Sequence, residues 1–84
     1  MNYDPIKVTL TKGELDIVLR PIVNKGGVQQ RLRSILNRIN RTTGEGEVLP
    51  TDEAYMREFV TKRGGGGYQD RFKAILWAVD RARV

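Results

Sequence analysis

The sequence predicts a mainly α fold: four helices forming two hairpins related by a pseudo-two-fold axis, with a minor two-stranded antiparallel β ribbon. Two observations carry this. The segment "KGGVQQRLRSILNRINR" (residues 25–41) returns as "GGGYQDRFKAILWAVDR" (65–81), and matching residue n with n + 40 gives seven identities in the sixteen positions from 26 to 41. The apolar residues superimpose as well, with Val28, Leu32, Ile35, Leu36 and Ile39 falling on Tyr68, Phe72, Ile75, Leu76 and Val79. That i, i+4, i+7, i+8, i+11 spacing is one face of an α-helix. A unit repeated at such a period points to internal duplication.

In chain order, "IKVTL" (6–10) alternates Ile6, Val8 and Leu10 with Lys7 and Thr9, the period of a half-buried strand. Its repeat partner lies around Glu47–Leu49, and equivalent strands beside a two-fold axis run antiparallel. Such a pair is marginal in isolation. Helix one starts at about Lys12, where Thr11 and Glu14 have capping-box spacing. Pro21 lacks a backbone donor and should kink or end it. After a glycine turn, helix two is expected over about 28–41. "RTTGEGEVLP" reads as the linker between halves. Helix three should run over about 52–62, capped by Thr51 or Asp52 directly after Pro50, and helix four over about 68–83. The chain is one domain, 1–84, with repeat one at about 6–41, a linker at 42–50 and repeat two at about 48–84.

A domain of 84 residues buries only roughly 60–65% of its unfolded surface. It has no Cys for a disulfide and neither His nor Cys for zinc. It must rely on packed helices or a further copy of itself, so a homo-oligomer, dimer or higher, is expected. "MNYDPIKVTL" has none of the regions of a signal peptide, and no apolar run nears the roughly 20 residues that span a bilayer. The expected location is cytoplasmic, that of a bacterial host if the gene is a phage's. Net charge is +5, and residues 25–41 hold Lys25, Arg31, Arg33, Arg38 and Arg41 with no acid. A concentrated basic segment suits a polyanionic or phosphorylated partner.

Two readings of the repeated Gly-Gly-x-Gln-x-Arg motif are open. Glycines let one helix stop and the next begin sharply, and Gln29 and Gln69 then only satisfy nearby backbone. Alternatively, the free N–H groups and dipole of each helix start receive an anion, with an arginine one turn inside adding a bidentate contact. The second reading explains why Gln and Arg recur together with the glycines. It makes Gly26, Gly27, Gln29, Arg31, Gly66, Gly67, Tyr68, Gln69 and Arg71 ligand-binding candidates, with Lys25 and Arg63 beside the turns. No Lys-Ser/Thr follows the glycines, so this is not a nucleotide-hydrolase loop. With no His, no Cys and no paired carboxylates placed in an obvious pocket, an enzyme is not expected, and no metal or cofactor either.

The outward faces differ between the two halves. Helix two presents Gln30, Arg33, Ser34, Asn37 and Arg41, with Arg38 beside them, side-chain types that contact bases and phosphates. Helix four presents Trp77 with Ala74 and Ala78, an apolar outer patch expected to be the oligomer interface.

Around "GGYQDRFKAIL" the chain resembles small helical proteins of bacterial and phage genomes in which a Gly-Gly-x-Gln motif appears twice. The likeness covers both repeat cores and departs at Pro21 and at the four-glycine run. It implies duplication and a mobile-element origin, and carries no activity with it. The expected function is a non-enzymatic protein holding a phosphorylated small molecule, a nucleotide first of all, at the two glycine turns. In a phage this would sequester a host immune signalling nucleotide. The other reading is a small DNA- or RNA-binding regulatory protein using the basic face of helix two.

Overall fold

The computed structural model describes residues 4–21, 27–62 and 66–83. Six elements follow in order: β1 (Ile6–Thr9), α1 (Lys12–Val18), α2 (Gly27–Leu36), β2 (Glu45–Val48), α3 (Pro50–Lys62) and α4 (Gly66–Ala82). The fold is mainly helical with one two-stranded antiparallel sheet. Helix α1 begins as expected. Thr11 Oγ1 accepts the Glu14 N–H (3.1 Å), and Glu14 Oε1 accepts the Thr11 N–H (2.8 Å). It ends at Val18, ahead of Pro21. Pro50 opens α3, where its fixed φ and missing N–H cost nothing.

The ribbon pairs Ile6 with Val48, Lys7 with Glu47, Val8 with Gly46 and Thr9 with Glu45. Lys7 thus faces its own counterpart forty residues on. The elements of the two halves are nonetheless unequal: α1 has 7 residues against 13 in α3, and α2 has 10 against 17 in α4.

Helix α2 stops at Leu36, five residues before its expected end, and the cause lies in β2. The Arg38 carbonyl accepts the Glu47 N–H (3.1 Å), and the Asn40 N–H donates to the Glu45 carbonyl (2.7 Å). Ile39 bridges Gly46. The chain after α2 is therefore drawn out along the free edge of β2, so the strand has a neighbour on both sides. Only glycine permits this approach: a Cβ at Gly46 would lie 2.5 Å from the Arg38 carbonyl oxygen and 2.6 Å from the Ile39 Cα. Gly44, at φ +82°, makes the preceding turn, and its carbonyl accepts the Leu10 N–H (2.9 Å). The "linker" is thus a structural element.

One core joins both halves. Leu32, Ile35, Leu36 and Ile39 are buried in it with Phe72, Ile75, Leu76 and Val79, while Val28 and Tyr68 are half-buried at its margin. Tyr55, Phe59, Phe72 and Tyr68 form an aromatic row, with Phe59 and Phe72 edge to face at 5.0 Å. Helix α4 packs against β1, α1 and α3 at once. A helix covered on so many sides buries far more than one stripe. Ala74 and Ala78, expected outside, are accordingly in the core at 0% and 1% exposure. Of that outer patch only Trp77 remains exposed.

Three buried acids stand in the first turns of α1 and α3: Glu14, Asp52 and Glu53. The end of α4 clamps two of them. Arg81 donates both terminal nitrogens to Glu14 (2.6 and 2.8 Å), and Arg83 donates both to Glu53 (2.6 Å each). Asp52 receives Arg31 (3.1 Å). The Arg81 hydrogen bonds hold the Glu14 carboxyl below its ordinary value, against the opposing effect of burial. The same contact raises Arg81, and Asp80 and then Glu53 raise Arg57.

Two predictions follow from these contacts. Because Glu14's folded pKa is depressed, its stabilisation is complete above the ordinary value of about 4.5 and is lost as pH falls through the lower folded value. Arg81→Ala should cost roughly 1–3 kcal/mol at pH 7, chiefly by leaving a buried carboxylate without its cationic partner and with only the Thr11 N–H as donor. It should also flatten the acid limb of a plot of melting temperature against pH, and an unchanged limb would refute the clamp. Gly46→Ala should destabilise by roughly 1–3 kcal/mol, since backbone atoms must move. A Cβ at Gly27 meets nothing within 4 Å, so Gly27→Ala should stabilise α2, by up to about 1 kcal/mol of helix propensity. Chemical denaturation of both variants reads the contrast.

Candidate anion-binding cleft

The duplicated motif does not build two equal sites. Arg31 lies across α3, paired with Asp52, with its guanidinium 4.5 Å from the centre of the Tyr55 ring. Arg71 turns inward: it is 6% exposed and donates to the Arg20 carbonyl (2.9 Å) and, at the edge of bonding range, to the Pro21 carbonyl (3.5 Å). It thereby caps the chain leaving α1. Gln69 donates weakly to the Val60 carbonyl (3.4 Å), closing the end of α3 onto α4, while Tyr68 stacks beside Phe72. Gly27 is the first residue of α2, and Gly66 and Gly67 open α4. Lys25, Gly26 and Arg63 lie outside the described residues. Arg31 and Arg71, expected to be equivalent phosphate ligands, make different contacts in the two halves. The same residue types at matching positions thus meet different partners, on helices of unequal length.

The outer face of helix two is also redrawn. Gln30 and Arg33 are exposed on α2, but Asn37, Arg38 and Arg41 lie beyond its end, in the segment pulled out along β2. Arg38 donates to the Ser34 carbonyl (3.0 Å) and stands 3.9 Å from Asp52. No single helix therefore carries all the residues that were to enter a nucleic-acid groove.

What the structure does assemble is a cleft of about 170 Å³ between α1 and α2. Its rim holds Arg20, Arg33, Arg41 and Gln29. Its floor is Val18, Leu19, Leu32 and Leu36. Gln29, from the glycine motif, and Arg33 and Arg41, from the nucleic-acid face, thus converge on one place. Among the described residues, Arg31, Arg38, Arg57, Arg81 and Arg83 each have a carboxylate within 4 Å. The side chains of Arg20, Arg33 and Arg41 have none. Three guanidiniums with no carboxylate partner among the described residues thus stand beside an aliphatic floor, an arrangement whose chemistry suits an anion. A broader depression of about 470 Å³ on the ribbon face is lined by Glu45 and Glu47 with Lys7, a balance that does not favour anions.

Arg20 was not singled out by the sequence. Its repeat partner is Val60, so it lies outside the duplicated pattern, and only the turn after α1 brings it to the cleft. No protein-family model, curated protein or solved structure matches this chain. Among the described residues no helix is long and apolar enough to cross a membrane.

Reassigning Arg71 reverses the expectation for its removal. Arg71→Ala should lower stability by roughly 1–3 kcal/mol, because a buried side chain is truncated and its hydrogen bond to the Arg20 carbonyl is lost. Arg20→Ala, which keeps that carbonyl, should not. Melting temperatures of the two variants distinguish an internal cap from a surface ligand.

Proposed function

We propose that this protein is a non-enzymatic binding module that holds the phosphate of a phosphorylated small molecule, a nucleotide being the leading class, in the α1–α2 cleft. One observation carries the reading. Arg20, Arg33 and Arg41 share a cleft and no acid of the described chain neutralises them. An arginine fork matches phosphate oxygens bidentately, and Gln29, in the first turn of α2, adds an amide. We infer further that the halves descend from one duplicated hairpin, the Lys7–Glu47 register and the matched core supporting this. The repeat then supplied the scaffold, and only the first half developed the site. In a phage genome, the use of such a module would be to withhold a host signalling nucleotide.

The test is calorimetric titration with inorganic phosphate and a panel of nucleotides. Losing one charge-assisted contact should cost about 1.5–3 kcal/mol, so Arg33→Ala should weaken phosphate binding roughly tenfold to a hundredfold, with its melting temperature unchanged. Equal affinity for wild type and Arg33→Ala would sink the cleft. A nucleic-acid partner would reveal itself differently, by tight binding to DNA or RNA that falls steeply with added salt.

A further inference from the structure

A second cavity, of about 310 Å³, adjoins the arginine cleft and shares Leu19 and Arg41 with it. Leu10, Leu15 and Leu19 form its apolar base, and Leu19 is 38% exposed, a large aliphatic surface left without cover. The opposite wall is polar, made by Asp16 on α1 and by Thr42 and Thr43 on the turn before β2. That turn is held in place: Asn40 Oδ1 accepts the N–H groups of both Thr42 (2.8 Å) and Thr43 (3.0 Å), and Thr43 Oγ1 accepts the Glu45 N–H (3.2 Å). Asp16 has no ion pair or hydrogen bond from its side chain among the described residues. Lys12, one turn earlier on α1, lies at the same cavity.

The two cavities have different chemistry, joined at Arg41. One is cationic and suits an anion. The other pairs an apolar base with a carboxylate acceptor and hydroxyls, and its volume reaches the lower end of small-molecule sites. A flat ring over Leu19 with hydrogen-bond donors at its edge satisfies it, whereas a bare anion would meet the Asp16 charge. A molecule that is anionic at one end and donor-bearing and ring-shaped at the other fits both.

We propose that the second cavity takes the nucleoside half of a nucleoside phosphate. The phosphate lies among Arg20, Arg33 and Arg41, the ring rests on Leu19, and Asp16 accepts hydrogen bonds from the sugar hydroxyls or the base amine. Asp16 and the Thr42–Thr43 turn thereby become the specificity-determining groups. This rests on the phosphate reading of the neighbouring cleft.

Calorimetry of the full chain with inorganic phosphate, ribonucleoside monophosphates and their deoxy counterparts tests it, using wild type, Asp16→Ala and Arg33→Ala. In wild type a nucleoside monophosphate should bind at least roughly tenfold tighter than inorganic phosphate. Asp16→Ala should remove that excess while leaving phosphate affinity and melting temperature unchanged, since Asp16 is exposed and supports no internal contact. A penalty confined to the deoxy ligands assigns Asp16 to the sugar; an equal gain for both sugars assigns it to the base. Equal binding of phosphate and nucleotides, or an Asp16→Ala variant that retains the nucleotide preference, overturns this proposal while the arginine cleft stands. No binding by any of these ligands, or phosphate binding indifferent to Arg33→Ala, overturns both.

Discussion

Each buried carboxylate in this protein stands in the first turn of a helix and is held by an arginine from elsewhere in the chain. Glu14 and Glu53 start α1 and α3, and Arg81 and Arg83 reach both from the end of α4. Asp52 is held by Arg31 from α2. A carboxylate near a helix N-terminus is favoured by the dipole, but a buried one without a cationic partner is costly. The requirement for that partner fixes where α4 must end and how α2 must face α3. With no disulfide and a modest core, these ion pairs tie together helices that are far apart in sequence.

The same constraint sorts the arginines. Most of those described are engaged internally, by carboxylates or, for Arg71, by the carbonyls after α1. Their charge is largely cancelled where it stands. Arg20, Arg33 and Arg41 are outside that pattern, and the excess positive charge of this region is consequently localised at one cleft rather than spread over a surface. Localised charge above an aliphatic floor acts through a lower effective dielectric than charge in open water, which is why a small anion would feel these three together.

Much of the scaffold could be read from residue pattern. Thr11 and Glu14 announced the start of α1, Pro21 its limit, and the repeated stripe the core from Leu32 to Val79. The antiparallel ribbon was legible in the sequence repeat, although β2 begins at Glu45, before the expected Glu47. What sequence pattern missed lies where tertiary contact overrides local preference. Residues 37–41 continue a helical stripe, yet the close approach allowed by Gly46 draws them out as a strand-like edge. Arg31 and Arg71 occupy one place in the repeat, but face an acid in one half and backbone carbonyls in the other. Ala74 and Ala78 look external on a helical wheel and are internal because α4 is enclosed. Of the site, Gln29, Arg33 and Arg41 were legible as chemistry. Their convergence with Arg20 was not, since it depends on the turn after α1.

The placement of β2 between β1 and residues 38–40 bears on the order in which the molecule can form during synthesis. The first half emerges from the ribosome ahead of everything that completes it. β1 must wait for a strand about forty residues downstream, and Leu10 waits for the Gly44 carbonyl. Closing so long a loop costs conformational entropy before any contact repays it, and α4, which covers β1 and α1, follows β2 and α3 in the chain. The elements of the first half therefore depend on the second half for their partners. Leu15 and Val18, on the helix that packs against α4, lack that cover on the nascent chain until α4 arrives.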